Sequence, residues 1–345
     1  MMSQSRLTER LFQLLTRYPL LPLLIALIIG FGIATDGSIL SWSNLRGVLL
    51  DAAIISIVAV PGALLIIAGY IDLSVGSLLA LGGVVAGMVI KDTGSSALGV
   101  IAGITAGALV GLVNGLVSAI GGLSSFITTL ATLTIVRGVT QLISPLSLND
   151  FGNEFGWLGV GAIAGIPLAV WIAVIIALVG AFFLALVPAG RHVYAVGINP
   201  HAAFLAGVRV RMLPAALFVL SGAGAGAAGV LTAARLNSAP AGQLGVGFEL
   251  TVLTAILLGG VALKGGEGTI LGVLFGVTFL GLLRNGLVLL GVQTFWQSVV
   301  SGIALIAAIA LAGNVSKLRQ FTTRKIWKLP SPSMPDVAEH THAGE

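Results

Sequence analysis

Residues Gly69–Ser77 read G-Y-I-D-L-S-V-G-S and lie between two apolar runs. Asp72 is thus an acidic residue between segments that otherwise avoid charge. A charge at the centre of a bilayer costs about 2.5–3.5 kcal/mol on insertion scales, so it needs a partner, a cavity or an aqueous edge. Flanking glycines and serines argue that the helix breaks here rather than running through. The reading outward from this point is of a membrane bundle built around such breaks.

Composition supports that frame. Of 345 residues, 57% are hydrophobic and 8% are charged, against about 25% charged in soluble domains. So few charges cannot cover a water-facing surface, and the chain reads as a polytopic, all-α membrane protein. Gly is abundant, at 48 residues, which in a membrane points to close helix–helix contact. Cysteine is absent, excluding disulfides and thiolate metal sites. His192, His201, His340 and His342 are scattered, with no H-E-x-x-H, P-loop or G-x-S-x-G motif. No cofactor or metal is expected in this chain. The net charge of +5 sits at expected membrane ends, so nucleic acid is not an expected partner, whereas membrane lipid is.

At roughly 20 residues per span, the candidates are about 19–35, 47–68, 77–90, 97–119, 126–143, 167–188, 212–234, 250–263, 269–290 and 298–313. This gives about ten helices, with short broken pieces in the third and eighth. Residues 1–18 form a basic N-terminal segment, read with the first span as an uncleaved signal anchor. Residues 19–315 form the transmembrane domain, and 316–345 a basic tail that becomes Pro-, Ser- and acid-rich and is expected to be disordered. Lys and Arg fix the orientation. Arg6, Arg10, Arg17, Arg191, Arg209, Arg211, Lys264, Lys317, Arg319, Arg324, Lys325 and Lys328 share one side in a ten-span layout, leaving Arg46, Lys91 and Arg235 opposite. Both termini are therefore expected in the cytoplasm. Arg137 and Arg284 are expected near an interface, where long side chains snorkel, and Asp51 reads as an interfacial charge.

Gly99, Gly103, Gly107, Gly111 and Gly115 recur every four residues and share one helical face, which reads as a packing face. Asn114-Gly115-Leu116-Val117 and Asn285-Gly286-Leu287-Val288 match each other on helices expected to run in opposite directions, as in an inverted repeat. The polar stretch Ala189–Arg211 contains Asn199-Pro200, with Asn as cap and Pro in the first turn. About two helical turns should follow and end at Gly207. A short helix on a basic loop suits either docking onto another protein or lying along the membrane.

Taken together, these stretches resemble the permease subunits of bacterial ABC importers for simple sugars, the ribose, arabinose, galactose and rhamnose type. Gly69–Ser77 looks like that family's G-G-I-D-L-S-V-G-S segment, with Tyr70 departing from the second Gly. Gly197, Asn199, Pro200, Ala202, Ala203 and Gly207 match its G-x-N-P-x-A-A-x-x-x-G loop. Ala255–Gly268 and Asn285–Gln297 match two further segments, and the similarity runs over roughly residues 20–315. The resemblance implies two permease subunits, as a homodimer or with a paralogue, two ATP-binding subunits holding ATP and Mg, and a periplasmic binding protein that delivers the sugar. It also implies that 189–211 is the coupling loop. The chain would then be a conduit in the bacterial inner membrane, not an enzyme.

A neutral polyol needs hydroxyl and amide groups along its path. Asp72, Ser74, Ser77, Asn114, Thr128 and Asn285 are the candidate pathway residues, with Ser124, Ser125, Thr129 and Gln141 as further lining groups. For each of these, a structural hydrogen bond is the competing role. For Asp72 that role is capping a helix that starts near Leu73. Three other readings stand beside this one. The cargo could be a nucleoside or an amino acid, or the chain could be an ion-coupled carrier using Asp72. An intramembrane enzyme would need a nucleophile–base or metal constellation that the sequence does not present.

Overall fold

A computed structural model of the chain describes residues 20–293, 295–297, 299–300, 302–304 and 306. The expected terminal segments and most of the expected span 298–313 lie outside them. The membrane body consists of α1 (Leu20–Ala34), α2 (Trp42–Ile67), α3 (Val75–Thr93), α4 (Ser96–Gly115, continued by a π-turn to Ile120) and α5 (Ser125–Ile143). After the short α6 (Asn153–Val160) come α7 (Leu168–Leu186), α8 (Pro188–Ile198), α9 (Pro200–Leu205), α10 (Met212–Leu236), α11 (Phe248–Leu258) and α12 (Ile270–Leu289). Seven of these, α2, α3, α4, α5, α7, α10 and α12, are long and apolar enough to cross a membrane. Two minimal antiparallel ladders, Leu148–Asn149 with Ser238–Ala239 and Ala162–Ile163 with Ile166–Pro167, decorate the connections.

Helix α3 is not the short piece expected. It extends past Ile90 through Lys91 and closes at Gly94 in the left-handed region, φ 70°, where glycine carries no Cβ penalty. The break expected at Gly69–Ser77 is present and spans residues 68–74, and a second break, residues 259–269, separates α11 from α12.

Helix α2 is the centre of the bundle, buried continuously from Ala53 to Ile67. The tightest packing joins α3, α4 and α10. A Cβ on Gly103 would lie 2.5 Å from Gly82 O, one on Gly226 2.6 Å from Gly103 O, and one on Gly82 2.7 Å from Gly226 Cα. Three glycines from three helices therefore meet at one level. Along the α4 stripe, Gly99 packs on Ile90, Gly107 on Gly222, Gly111 on Phe218 and Gly115 on Ala215. Because this register runs down α4 as it runs up α10, the two helices are antiparallel.

Helix α10 leaves the α8–α9 end of the bundle and finishes beside α6, where Gly159 packs on Arg235. These two ends are called near and far below. The two Asn-Gly helices do run in opposite directions. Gly115 of α4 packs beside the start of α10, whereas α12 starts at the near end, following Gly265 and Gly266, which pack on Gly197 and Ile198.

Candidate functional site

Asp72 sits in the seven-residue break between α2 and α3, on the near side of the three-glycine level. Its Oδ1 accepts from the Ser74 backbone N–H at 2.9 Å and from Ser74 Oγ at 2.5 Å. Its Oδ2 accepts from Ser221 Oγ of α10 at 2.8 Å. The first pair is an Asx-type turn, in which a short carboxylate binds backbone two residues on. The expected cap on a helix starting near Leu73 is thus shifted. The helix begins at Val75, with Ser74 as its N-cap residue.

The network extends outward from Ser74. Asn114 Nδ2 donates to Ser74 Oγ at 2.9 Å, and Thr132 Oγ1 of α5 donates to Asn114 Oδ1 at 2.7 Å. One hydrogen-bonded chain therefore links α10, the break, α4 and α5. Buried polar chains of this kind hold their members in a single arrangement when every partner is satisfied. The break's own backbone is held from α5. Ser125 Oγ accepts from Ile71 N–H at 3.2 Å, and Thr129 Oγ1 accepts from Leu73 N–H at 3.1 Å.

Of the candidate pathway residues, Asp72, Ser74 and Asn114 meet here. Ser77 Oγ turns back to Ser74 O within its own helix, at 2.9 Å. Thr128 is half-buried on α5 beside Thr129 and outside the chain of bonds. Asn285 lies elsewhere, in a reciprocal amide pair with Asn44 of α2 at 2.8 and 2.9 Å.

The sequence reading missed four contributors. Ser221 and Thr132 are ordinary helix hydroxyls with no local signal. Glu249, in the first turn of α11, shares a cavity of about 20 Å³ with Asp72, lined also by Gly62, Ile66, Val75 and Ile256. That volume accommodates one water molecule. Glu249 Oε2 is buried there without a hydrogen-bond partner. The fourth is Tyr194, described below.

Arg137 does not snorkel as expected. It donates into the bundle, to Leu244 O at 2.5 Å and Gly245 O at 3.1 Å, within Coulomb range of Glu249. Arg284 likewise turns inward, to Thr251 Oγ1 of α11 at 3.0 Å.

The near end ties this site to the loop 189–211. Asn199 caps α9, its Oδ1 accepting from Ala202 N–H at 3.0 Å, and Pro200 occupies the first turn. Gly207, φ 81°, follows the helix in the left-handed region. Ala203 is buried against Val196 and Val208, while Phe204 and Leu205 are exposed. Gly197 crosses both breaks at once. A Cβ there would overlap Ile67 O and stand 2.5 Å from Gly266 N. Gly266 N–H donates to Ile67 O at 2.8 Å, and a Cβ on Gly265 would lie 3.0 Å from Gly69 Cα. Beside this crossing, Tyr194 donates to Gly268 O at 2.8 Å. Burial pushes its phenol above the usual tyrosine range. The loop helix and the Asp72 break thus share one backbone junction.

Asp72→Ala would leave the Ser74 and Ser221 donors without an acceptor. Leaving a buried donor unsatisfied costs about 1–3 kcal/mol. The variant is expected to unfold at a lower temperature in detergent than the parent, while Asp72→Asn, which keeps one acceptor oxygen, should lie between them. A thermal-shift series in which Asp72→Ala melts with the parent would contradict the network's structural weight.

The sequence profile of a family described as "Branched-chain amino acid transport system / permease component" matches residues 44–309. The ribose import permease protein RbsC of Escherichia coli strain K12 is 38% identical over 272 residues, covering 77% of this chain and 84% of that protein. The L-arabinose ABC transporter permease protein AraH of Azospirillum brasilense is 39% identical over 267 residues, covering 77% and 78%. The D-allose transport system permease protein AlsC of Escherichia coli strain K12 is 34% identical over 289 residues, covering 83% and 88%. No solved structure matches the chain. With a profile match across most of its length and relatives at this identity, the chain is a multi-pass membrane protein of the branched-chain amino acid transport system permease family.

Proposed function

We propose that this chain is the membrane-spanning permease of an ATP-driven importer in the bacterial inner membrane, forming the pathway for a simple sugar. The observation that carries the reading is the likeness to permeases named for three different sugars, each over more than three quarters of this chain. The side chains agree with it. The hydrogen-bonded chain through Asp72 is made of hydroxyls, an amide and one carboxylate already engaged by serines, groups that exchange hydrogen bonds with a polyol. The family's printed description leaves an amino-acid cargo as the second reading. A zwitterion would call for an anionic and a cationic group together. Glu249 lies beside Asp72, but Arg137, the cation within Coulomb range of it, already donates to Leu244 O and Gly245 O. The donors to Asp72 itself are neutral hydroxyl and backbone groups.

The partners follow from the division of labour. ATP and Mg belong to two ATP-binding subunits, a binding protein presents the cargo on the far side, and a second permease copy or paralogue completes the pathway. Gly197, Asn199, Pro200, Ala202, Ala203 and Gly207 would form the coupling element on the cytoplasmic side. Exposed Phe204 and Leu205 on α9 supply the apolar contact such docking needs. Asp72, Ser74 and Asn114 would sit on the substrate route, next to the elements that the coupling loop grips.

Purification of the complex with its ATPase, reconstituted into liposomes with the binding protein, tests this directly. Sugar uptake should depend on ATP. Asn199→Ala removes the α9 cap, worth about 0.5–2 kcal/mol of helix stability, and should cut uptake several-fold and weaken recovery of the ATPase. Unchanged uptake and recovery would remove α9 from the coupling role. A stable permease that never retains an ATPase, and moves solute on an ion gradient alone, would overturn the importer reading.

A further inference from the structure

Helix α11 holds 11 residues and is about 16 Å long, roughly half of a 30 Å hydrocarbon core. The chain reaches its start from the far end by residues 240–247, a run of turns with Gly245 and Gly247 at positive φ. Gly245 packs against Gly76, the second residue of α3, so this irregular segment dips into the bundle. Irregular backbone at membrane depth is tolerated only where protein buries it or where it lines water. Much of this segment is not buried. Gly242 and Gln243 are exposed, Val246 is 67% exposed, and Leu250 in the first turn of α11 is 50% exposed.

Charged groups lie on the neighbouring helices α2, α10 and α12. Asp51 of α2 and Arg235 of α10 form an ion pair at 2.5 Å, with side chains 60% and 32% exposed. Arg284 of α12 lies within Coulomb range of Asp51 and bonds Thr251 of α11. Ser221 and Arg235 are 14 residues apart on α10, or about 21 Å along its axis. The pair therefore forms a second polar layer, far-side of the Asp72 layer, with Glu249 and Arg137 also within the bundle. An exposed ion pair flanked by exposed irregular backbone at a half-length helix does not suit a lipid-facing surface.

We propose that the space between α2, α10, α11 and α12, bounded by Asp51, Arg235 and Arg284, is a water-filled vestibule that receives a neutral polyhydroxylated solute on its way to the Asp72 layer. This rests on the sugar-permease reading and adds an entry site to it. Carboxylate and guanidinium are complementary to neighbouring hydroxyls, one accepting and the other donating. Their mutual pairing leaves no net charge from the two, so the solute can leave again.

The chain has no cysteine, so single cysteines can be introduced into the unaltered protein. The test compares Asp51→Cys and Leu250→Cys with Ile175→Cys, an exposed apolar position on α7, using a charged, membrane-impermeant thiol reagent on cells that express the whole importer. Both vestibule positions should react at least tenfold faster than Ile175→Cys, and the reaction should lower sugar uptake at least fivefold. Equal rates would overturn the vestibule and assign the surface to lipid or to a second subunit. Fast labelling with undiminished uptake would overturn its place on the route. The labelling rates do not depend on the cargo, whereas absent sugar uptake by the unlabelled parent would count against the sugar reading alone. Leu250→Cys keeps the question answerable should Asp51→Cys fail to accumulate.

Discussion

Gly107→Leu is expected to yield no folded permease in the membrane. Gly107 faces Gly222 across the α4–α10 contact, and a Cβ would overlap Gly222 O and stand 3.0 Å from Gly226 Cα. The obstruction is backbone on a helix that is itself fixed, because Gly226 is wedged against Gly103 and Gly82 at the same level. Ordinary overpacking costs about 1–3 kcal/mol when side chains can rearrange. Here the helices would have to separate, and the polar chain from Thr132 through Asn114, Ser74 and Asp72 to Ser221 spans that separation. In a membrane the association of helices depends on such close packing and interhelical hydrogen bonds rather than on expulsion of water. Fluorescence-detected size exclusion of a tagged variant should show loss of the monodisperse peak. A Gly107→Leu protein with normal yield and elution would refute the packing argument.

Periodicity carried much of the architecture. The four-residue glycine spacing in α4 exposes its packing face to anyone reading the chain, because helix geometry alone places those residues together. The break at Gly69–Ser77 and the Asn199 cap were legible for the same reason, since both are local backbone chemistry. What lay hidden was pairing across long sequence separation. A buried Asp72 announces that it needs partners, yet nothing near it names Ser221, 149 residues away. Arg137 and Arg284 read as snorkelling residues because sequence gives their depth but not their facing. Both instead turn into the bundle toward backbone or hydroxyl oxygens. Glu249 passed unnoticed because an acid in a helix's first turn is ordinary dipole chemistry. Only the fold brings it into one cavity with Asp72. The amide repeat misled in a different way. Asn114 and Asn285 share a motif, but one serves the Asp72 chain and the other an amide pair with Asn44.

Gly197→Ala is expected to separate ATPase docking from transport. The residue is the last but one of α8, two positions before the α9 cap, on the loop proposed to meet the ATPase. It is also where the loop's backbone crosses Ile67 and Gly266. One methyl group cannot fit there without pushing the loop off both breaks. α9 itself should survive, because its cap is internal to the loop: Asn199 Oδ1 to Ala202 N–H. The variant should therefore still recover the ATP-binding subunit while ATP-dependent uptake falls tenfold or more. Tyr194→Phe removes only the bond to Gly268 O and should give a milder loss of the same kind, which distinguishes a weakened junction from a misfolded loop. If Gly197→Ala instead loses the ATPase and transport together, the junction is needed to build the docking surface. If it transports normally, motion reaches Asp72 by another route, of which α10 is the direct alternative. That helix follows the loop at Met212 and holds Asp72 through Ser221. The near-end junction and α10 are thus two mechanical inputs to one carboxylate, and the Gly197 variant leaves only the second intact.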